Sequence, residues 1–460
     1  MSDQPSGPSA SSAIAGDMRG SRGPTGKLAW IGAILLLMLI PAFLLGELTR
    51  EREQRQAGVN AEFGTSWGPP QVVVGPILIV PYRAAPDTPL RYIEIAPSRL
   101  DAAAALAPEL RKRGLFHALV YGADVSLSGT FVIPDDFSSM VPSGDVLWRE
   151  SFIALRASDL RSLNAAPSLE WEGRQLAWAE CAESDGIDCR GGQFLVARLD
   201  WAAAPAVRAP LRFKADLHLR GTRTFRLAPL GKEVVLALSA PWSAPSFVGA
   251  ALPERSTVSD SGFEAVWRVA SVPPPGRWVW TSQSALEIAS SSGAWRAVND
   301  PIGVELREPV PIYQKVERAS KYAVLFLALS FLTYFLFETV AGVHIHVVQY
   351  GLLGLSISLF ALLLLAFSEP FGFEIGYALS SFLVLMQASV YTGVVTRRPR
   401  HALAFGAVLA ALFAFLYVLL SLETYSLLLG AIALFTGLSA LMAVTRNVDW
   451  SKERAAAPAP

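Results

Sequence analysis

Carboxylates and imidazoles set among apolar residues are the groups from which proton relays and ion sites are built, and bilayer depth makes them costly to keep. This chain gathers several in its last third. Glu338 closes one apolar run, with His344, His346 and Gln349 shortly after it. Glu369 and Glu374 bracket a later break between runs, and Gln387 lies inside the next. A relay of protons or ligand through Glu338 and His346 is one reading of this set. The other is that the groups cap helices, meet lipid headgroups or tie helices together, each interhelical hydrogen bond contributing about 0.6 kcal/mol. Gly372 and Gly376 have the spacing of a close helix contact.

Catalytic spacings are scarce. Neither a phosphate-binding G-x-x-x-x-G-K-[ST], a metalloprotease H-E-x-x-H nor an S-x-x-K is present. Asp135 and Asp136 are adjacent carboxylates, but they follow Pro134, as in a solvated turn. With five histidines and two cysteines, no cluster has metal-ligand spacing. The chain is therefore expected to be no enzyme and to need no cofactor or metal. Lysine plus arginine and aspartate plus glutamate both number 39, so no net charge argues for nucleic acid.

The polar groups are positioned by long apolar runs. Five follow one another, at about 322–340, 348–367, 375–395, 402–422 and 425–444, each close to the length that a bilayer's hydrocarbon core requires of a helix. A sixth, residues 28–45, follows Arg19, Arg22 and Lys27 and contains Pro41, which predicts a kink. Its continuation through Glu47, Arg50, Glu51, Arg52, Glu53 and Arg55 reads as the same helix emerging into water, not as a cleaved signal peptide. The positive-inside rule then predicts six spans with both termini in the cytoplasm. Arg397, Arg398 and Arg400 follow the fourth span and Arg446, Lys452 and Arg454 the sixth, whereas the turns at 368–370 and 422–424 carry no Lys or Arg.

The exported middle is mostly strand-like. Residues 71–82 are rich in β-branched side chains, and 124–132 and 215–221 alternate apolar with polar. Residues 232–238 and 277–281 look similar, while the alanines and leucines of 98–113 predict one helix. The stretches 123–130 and 215–222 echo each other, as a duplicated β-unit would. Cys181 and Cys189 flank a short turn-rich segment, and outside the cytoplasm they are expected to pair as a structural disulfide. Tryptophans 67, 148, 171, 178, 201, 242, 267, 278 and 280 fill a β-sandwich core or line an apolar groove.

These local signals together resemble one family. Ser66-Trp67-Gly68-Pro69-Pro70-Gln71 with Gly75-Pro76 and Pro81-Tyr82 is similar to the start of the exported domain of the CreD family of bacterial inner-membrane proteins. Arg113-Gly114-Leu115-Phe116, Leu219-Arg220-Gly221, Pro241-Trp242 with Phe247, Lys321-Tyr322, Phe335 to Glu338, Gln349-Tyr350 and Ser368-Glu369 follow in order. Val347 and Pro370 depart from the family's pattern, which shows proline and histidine there. The resemblance implies an output of a two-component system linked to envelope integrity, colicin tolerance and β-lactam response, and implies no reaction.

The fold expected is a multi-pass α-helical membrane protein with a large antiparallel, sandwich-like β-rich domain outside the cytoplasm. Residues 1–27 form a tail, 28–46 the first span, 47–320 the periplasmic domain, 321–446 a five-helix bundle and 447–460 a second tail. Expected partners are the bilayer and envelope proteins or lipids, with Trp242 and Phe247 as a candidate binding surface. The alternative is a transporter or lipid-handling protein working through the bundle by Glu338, His346, Gln349, Glu369 and Glu374. The oligomeric state is not legible from the sequence.

Overall fold

The computed structural model describes residues 24–85, 88–114, 116–135, 137, 145–181, 193–201, 205–206, 208–270, 279–282, 300–307, 312–341, 345–421 and 426–445. Both expected tails lie outside these residues, save for 24–27. The chain divides into two compact units, one of residues 56–309 and one of 1–55 with 310–460.

The first unit is built from strands. In chain order they are β1 (Gln71–Arg83), β2 (Arg91–Ile95), β3 (Arg99–Arg113), β4 (Phe116–Val132), β5 (Asp145–Val146) and β6 (Phe152–Ala157). Then come β7 (Ser168–Trp171), β8 (Arg174–Leu176), β9 (Ala179–Glu180), β10 (Gln193–Arg198), β11 (Pro210–Thr222) and β12 (Thr224–Leu227). The last are β13 (Glu233–Ala240), β14 (Pro245–Val248), β15 (Arg255–Ser259), β16 (Gly262–Ala270), β17 (Val279–Ser282) and β18 (Ile302–Leu306).

They form two sheets. One runs β14-β18-β12-β1-β6-β10-β9, with β2 and β5 also on β1 and β17 on β2; the other runs β15-β16-β13-β3-β4-β11-β7-β8. Among the described pairings only β1 with β12 and β3 with β13 are parallel, so the sheets are mixed where purely antiparallel ones were expected. Alternation along each strand sends one set of side chains inward. Leu127, Leu217 and Trp267 of the eight-stranded sheet thus share a core with Leu78, Ile153 and Phe225 of the other. Strand β1 is buried on both faces, which is why its sequence reads as a continuous apolar run.

One expectation is corrected. Residues 99–113 are strand β3, not a helix: Leu100, Ala102, Ala104 and Leu106 are buried while Ala103, Ala105 and Ala107 are exposed. Pairing with β4 on one side and β13 on the other outweighs the helix propensity of alanine, and Pro108 would have broken a helix here. The echoing stretches lie side by side in one sheet, with Leu219 opposite Ala123 and Ala215 opposite Leu127.

The second unit is helical: α1 (Pro24–Leu37), α2 (Leu39–Ser66, which runs on into the strand unit), α3 (Ile312–Ala341), α4 (Val347–Phe371), α5 (Phe373–Thr396), α6 (Pro399–Ser421) and α7 (Ser426–Thr445). The break at Met38 lies where Pro41, lacking an N–H, cannot bond the carbonyl of Leu37. Among the described residues α4, α5 and α6 are long and apolar enough to cross a membrane. Their 25, 24 and 23 residues each reach about 35 Å, against a hydrocarbon core of about 30 Å. Aromatic side chains fill the space between helices. Phe413 packs on Phe326 at 4.7 Å and on Phe360 at 4.9 Å, and Tyr334 on Phe405 at 5.0 Å.

Candidate functional site

The outer face of the eight-stranded sheet carries a trough of about 610 Å³. Its floor is Ala103 and Ala105, whose small side chains leave the middle of the face low. Register decides what surrounds them. Glu264, Ser239, Ala105, Asp124 and His218 stand in one row across five strands. Val266, Ala237, Ala103, Ser126 and Asp216 form the next row. Four strand spacings separate Glu264 from His218, or about 19 Å. On one wall His218 Nδ1 and Asp124 Oδ1 are 2.6 Å apart, and Asp216 accepts from Ser168 Oγ at 3.4 Å with Lys214 Nζ at 3.8 Å. Glu264 on the other wall has no partner among the described residues. Acceptors on both walls of an apolar floor suit an extended ligand that presents amines or hydroxyls at its ends.

The polar residues of the helical unit sit in separate clusters. Glu338 Oε2 accepts from the Tyr350 hydroxyl at 2.9 Å, and its Oε1 accepts from the Ile345 N–H at 3.3 Å. His346 and Gln349 form a capping box at the start of α4: His346 Nδ1 accepts from Val348 N–H at 3.3 Å, and Gln349 Oε1 accepts from His346 N–H at 2.9 Å. Glu369 accepts from the Tyr313 hydroxyl at 3.2 Å and lies 3.7 Å from Arg52, so its carboxylate joins α2, α3 and α4. Glu374 meets Lys315 at 3.4 Å, and Lys315 lies over the Phe373 ring. Gln387 accepts from Ser356 Oγ at 3.0 Å between α4 and α5. Sequence spacing had set Glu338 beside His346; helix geometry gives Glu338 to Tyr350. His344 lies outside the described residues.

Trp242 and Phe247 are partly buried against the sandwich core. Trp242 Nε1 donates to the Arg307 carbonyl at 2.8 Å, and Phe247 packs edge-on against Phe263 and Trp267. Cys181 is disulfide-bonded, and Cys189 lies outside the described residues. Asp135 pairs with Arg208, and Asp136 is not among the described residues.

Three features escaped the sequence reading. The trough depends on strand register. So does the stacking of Arg111 and Arg220 over Trp67, at 3.7 and 4.6 Å from the ring centre. Gly64-Thr65-Ser66-Trp67-Gly68 does have G-x-S-x-G spacing, but Ser66 ends helix α2 and donates to the Glu62 carbonyl at 3.0 Å. That is not the strand–turn–helix elbow that exposes a nucleophile.

Comparison with known proteins gives this architecture a family. A family model described as inner membrane protein CreD matches residues 24–451. The chain belongs to the CreD family. The inner membrane protein CreD of Escherichia coli (strain K12) is 29% identical over 438 residues, covering 92% of this chain and 93% of that protein. As a CreD-family member it is a membrane protein associated with the cell envelope, in keeping with the three helices able to cross a bilayer.

Solved structures add little. An M1 zinc metallopeptidase of Deinococcus radiodurans is 11% identical, with a TM-score of 0.22 and coverage of 45% of this chain and 42% of that one. A mutant of that peptidase bound to a Tyr-Ser-Ala substrate is 11% identical at a TM-score of 0.20, covering 79% and 95%. Likenesses at scores this low carry no argument about chemistry in a CreD-family protein.

Proposed function

We propose that this protein is a non-enzymatic envelope-integrity protein whose β-rich domain lies in the periplasm and binds an extended envelope component in the trough between Glu264 and His218. Six spans with both termini in the cytoplasm anchor it, by the placing of Arg19, Arg22, Lys27, Arg397, Arg398, Arg400 and Arg446 at inner ends. The family resemblance extends the role to stress response, including colicin tolerance and β-lactam response. The trough supports the binding reading: a concavity of about 610 Å³, with an alanine floor and polar groups on both walls, has the form of a ligand site. Transport through the bundle is the rival reading and draws on Glu338 and Tyr350.

The test is photocrosslinking in the native membrane from a probe at Ala105, with a control probe at Leu252, which is 75% exposed and outside the trough. A discrete product is expected from Ala105 only, and Ala103→Trp, which fills the floor, removes it. Equal labelling from both positions, or none from Ala105, rejects the trough as the binding site.

A further inference from the structure

A second concavity lies in the helical unit, between α5 and α6. It holds about 540 Å³ and is lined by Leu385, Ser389 and Val390 of α5 and by residues of α6 from Pro399 to Ala410. Small residues bring the helices close and make its floor. A Cβ on Gly406 would stand 2.6 Å from Ser389 Oγ, and one on Gly393 would stand 3.1 Å from Ala402. Leu385, Val390 and Leu403 rise around that floor as walls. Along α6 the lining spans eleven steps, about 16 Å, close to the depth of about 15 Å of one leaflet's hydrocarbon.

One end of this groove is strongly basic. Pro399 lines it, and Arg397, Arg398 and Arg400 surround Pro399 in the α5–α6 turn. All three are exposed, and their guanidinium groups have no partner among the described residues. Arg397 suits the C-terminus of α5, but Arg398 and Arg400 stand at the N-terminus of α6, where the helix dipole disfavours cations. An anion held at this turn would answer both the unpaired guanidinium groups and the dipole, and an apolar tail on that anion would fill the groove.

We propose that the α5–α6 groove binds an anionic phospholipid, its phosphate at Arg397, Arg398 and Arg400 and one acyl chain along residues 399–410. Charge complementarity at the mouth favours this occupant over a partner helix, which would fit the small-residue floor but leave the arginines unanswered. The site requires that α5 and α6 cross the bilayer, and it is independent of what the β-rich domain binds.

The test is native mass spectrometry of the full chain in detergent, titrated with palmitoyl-oleoyl phosphatidylglycerol and with phosphatidylcholine of the same chains. Phosphatidylglycerol is expected to bind at least about tenfold more tightly. Taking the roughly 1 kcal/mol per Lys or Arg found near an anionic lipid surface as the scale, the combined Arg397→Gln, Arg398→Gln and Arg400→Gln change lowers its affinity roughly a hundredfold. The matching lysine triple retains most of it. Ala407→Phe, which fills the groove from an exposed position, lowers affinity about tenfold by displacing a few methylenes. Ala407→Leu is the milder second variant, and circular dichroism checks that each folds.

Unchanged binding in the glutamine triple overturns the proposal. So does unchanged binding in both groove-filling variants, which reduces the contact to headgroup adsorption. Displacement of the lipid by glycerol phosphate at equal concentration assigns the arginines to a free phosphate instead. Loss of a co-purifying membrane protein from Ala407→Phe, with lipid binding intact, makes the groove a helix interface.

Discussion

Gly221→Ala tests the packing beneath the trough's sheet. Tyr121 is fully buried, its hydroxyl donates to the Thr224 carbonyl at 2.6 Å, and its ring stands edge-on to Phe225 at 6.5 Å. Gly221 faces that ring so closely that a Cβ there would overlap Cζ and the hydroxyl oxygen. Because the ring is held by this hydrogen bond at one end and by Phe225 at its edge, it has little room to swing aside, and the added methyl should destabilise by about 1–3 kcal/mol, the usual range for overpacking. In a Tyr121→Leu background the overlapping atoms are gone, so the same methyl should cost close to nothing. The coupling between the two changes should therefore be about 1–3 kcal/mol. Urea unfolding of the full chain in detergent, followed by tryptophan fluorescence, reads this. Of the 12 tryptophans only Trp30 and Trp450 lie outside residues 56–309, so the signal reports the strand unit. An equal cost for Gly221→Ala in both backgrounds refutes the argument.

Burial pushes the Tyr121 phenol well above its ordinary value near 10, so the unfolded chain releases that proton at lower pH than the folded one. Its contribution is complete below about pH 10 and is lost as pH rises past it; Tyr121→Phe should flatten the alkaline part of a stability–pH curve, and an unchanged slope counts against this assignment. In the helical unit, Tyr350→Phe removes the hydroxyl that donates to Glu338 and should cost about 0.6 kcal/mol in detergent thermal unfolding, with Glu338→Gln costing less than Glu338→Ala. A loss in Tyr350→Phe no greater than in Tyr417→Phe, whose ring packs on Tyr377, argues against the Glu338 tie. A Cβ on Gly376 would come within 2.5 Å of Ser368 Oγ and 2.7 Å of its backbone nitrogen, so Gly376→Ala should destabilise the α4–α5 turn by about 1–3 kcal/mol, measured the same way.

What the sequence determined was whatever can be read along one dimension. Runs of about twenty apolar residues announce helices 347–371, 373–396 and 399–421, because hydrocarbon thickness fixes the length and nothing distant has to agree. Alternation announces β4 and β11, because a half-buried sheet imposes a period of two. The order of short motifs, from Ser66-Trp67-Gly68 to Ser368-Glu369, carried the family. Tertiary structure decided everything that depends on which residues face each other. Residues 99–113 prefer a helix by composition and become a central strand only because β4 and β13 stand ready on either side. Glu264 and His218, 46 positions apart in sequence, flank one trough because five strands share a register. Tyr350, not His346, meets Glu338 because the capping box turns His346 back onto its own helix end. Propensity and hydropathy are local quantities, whereas a site is set by distances across the fold, and those come into being only when the sheets and helices pack.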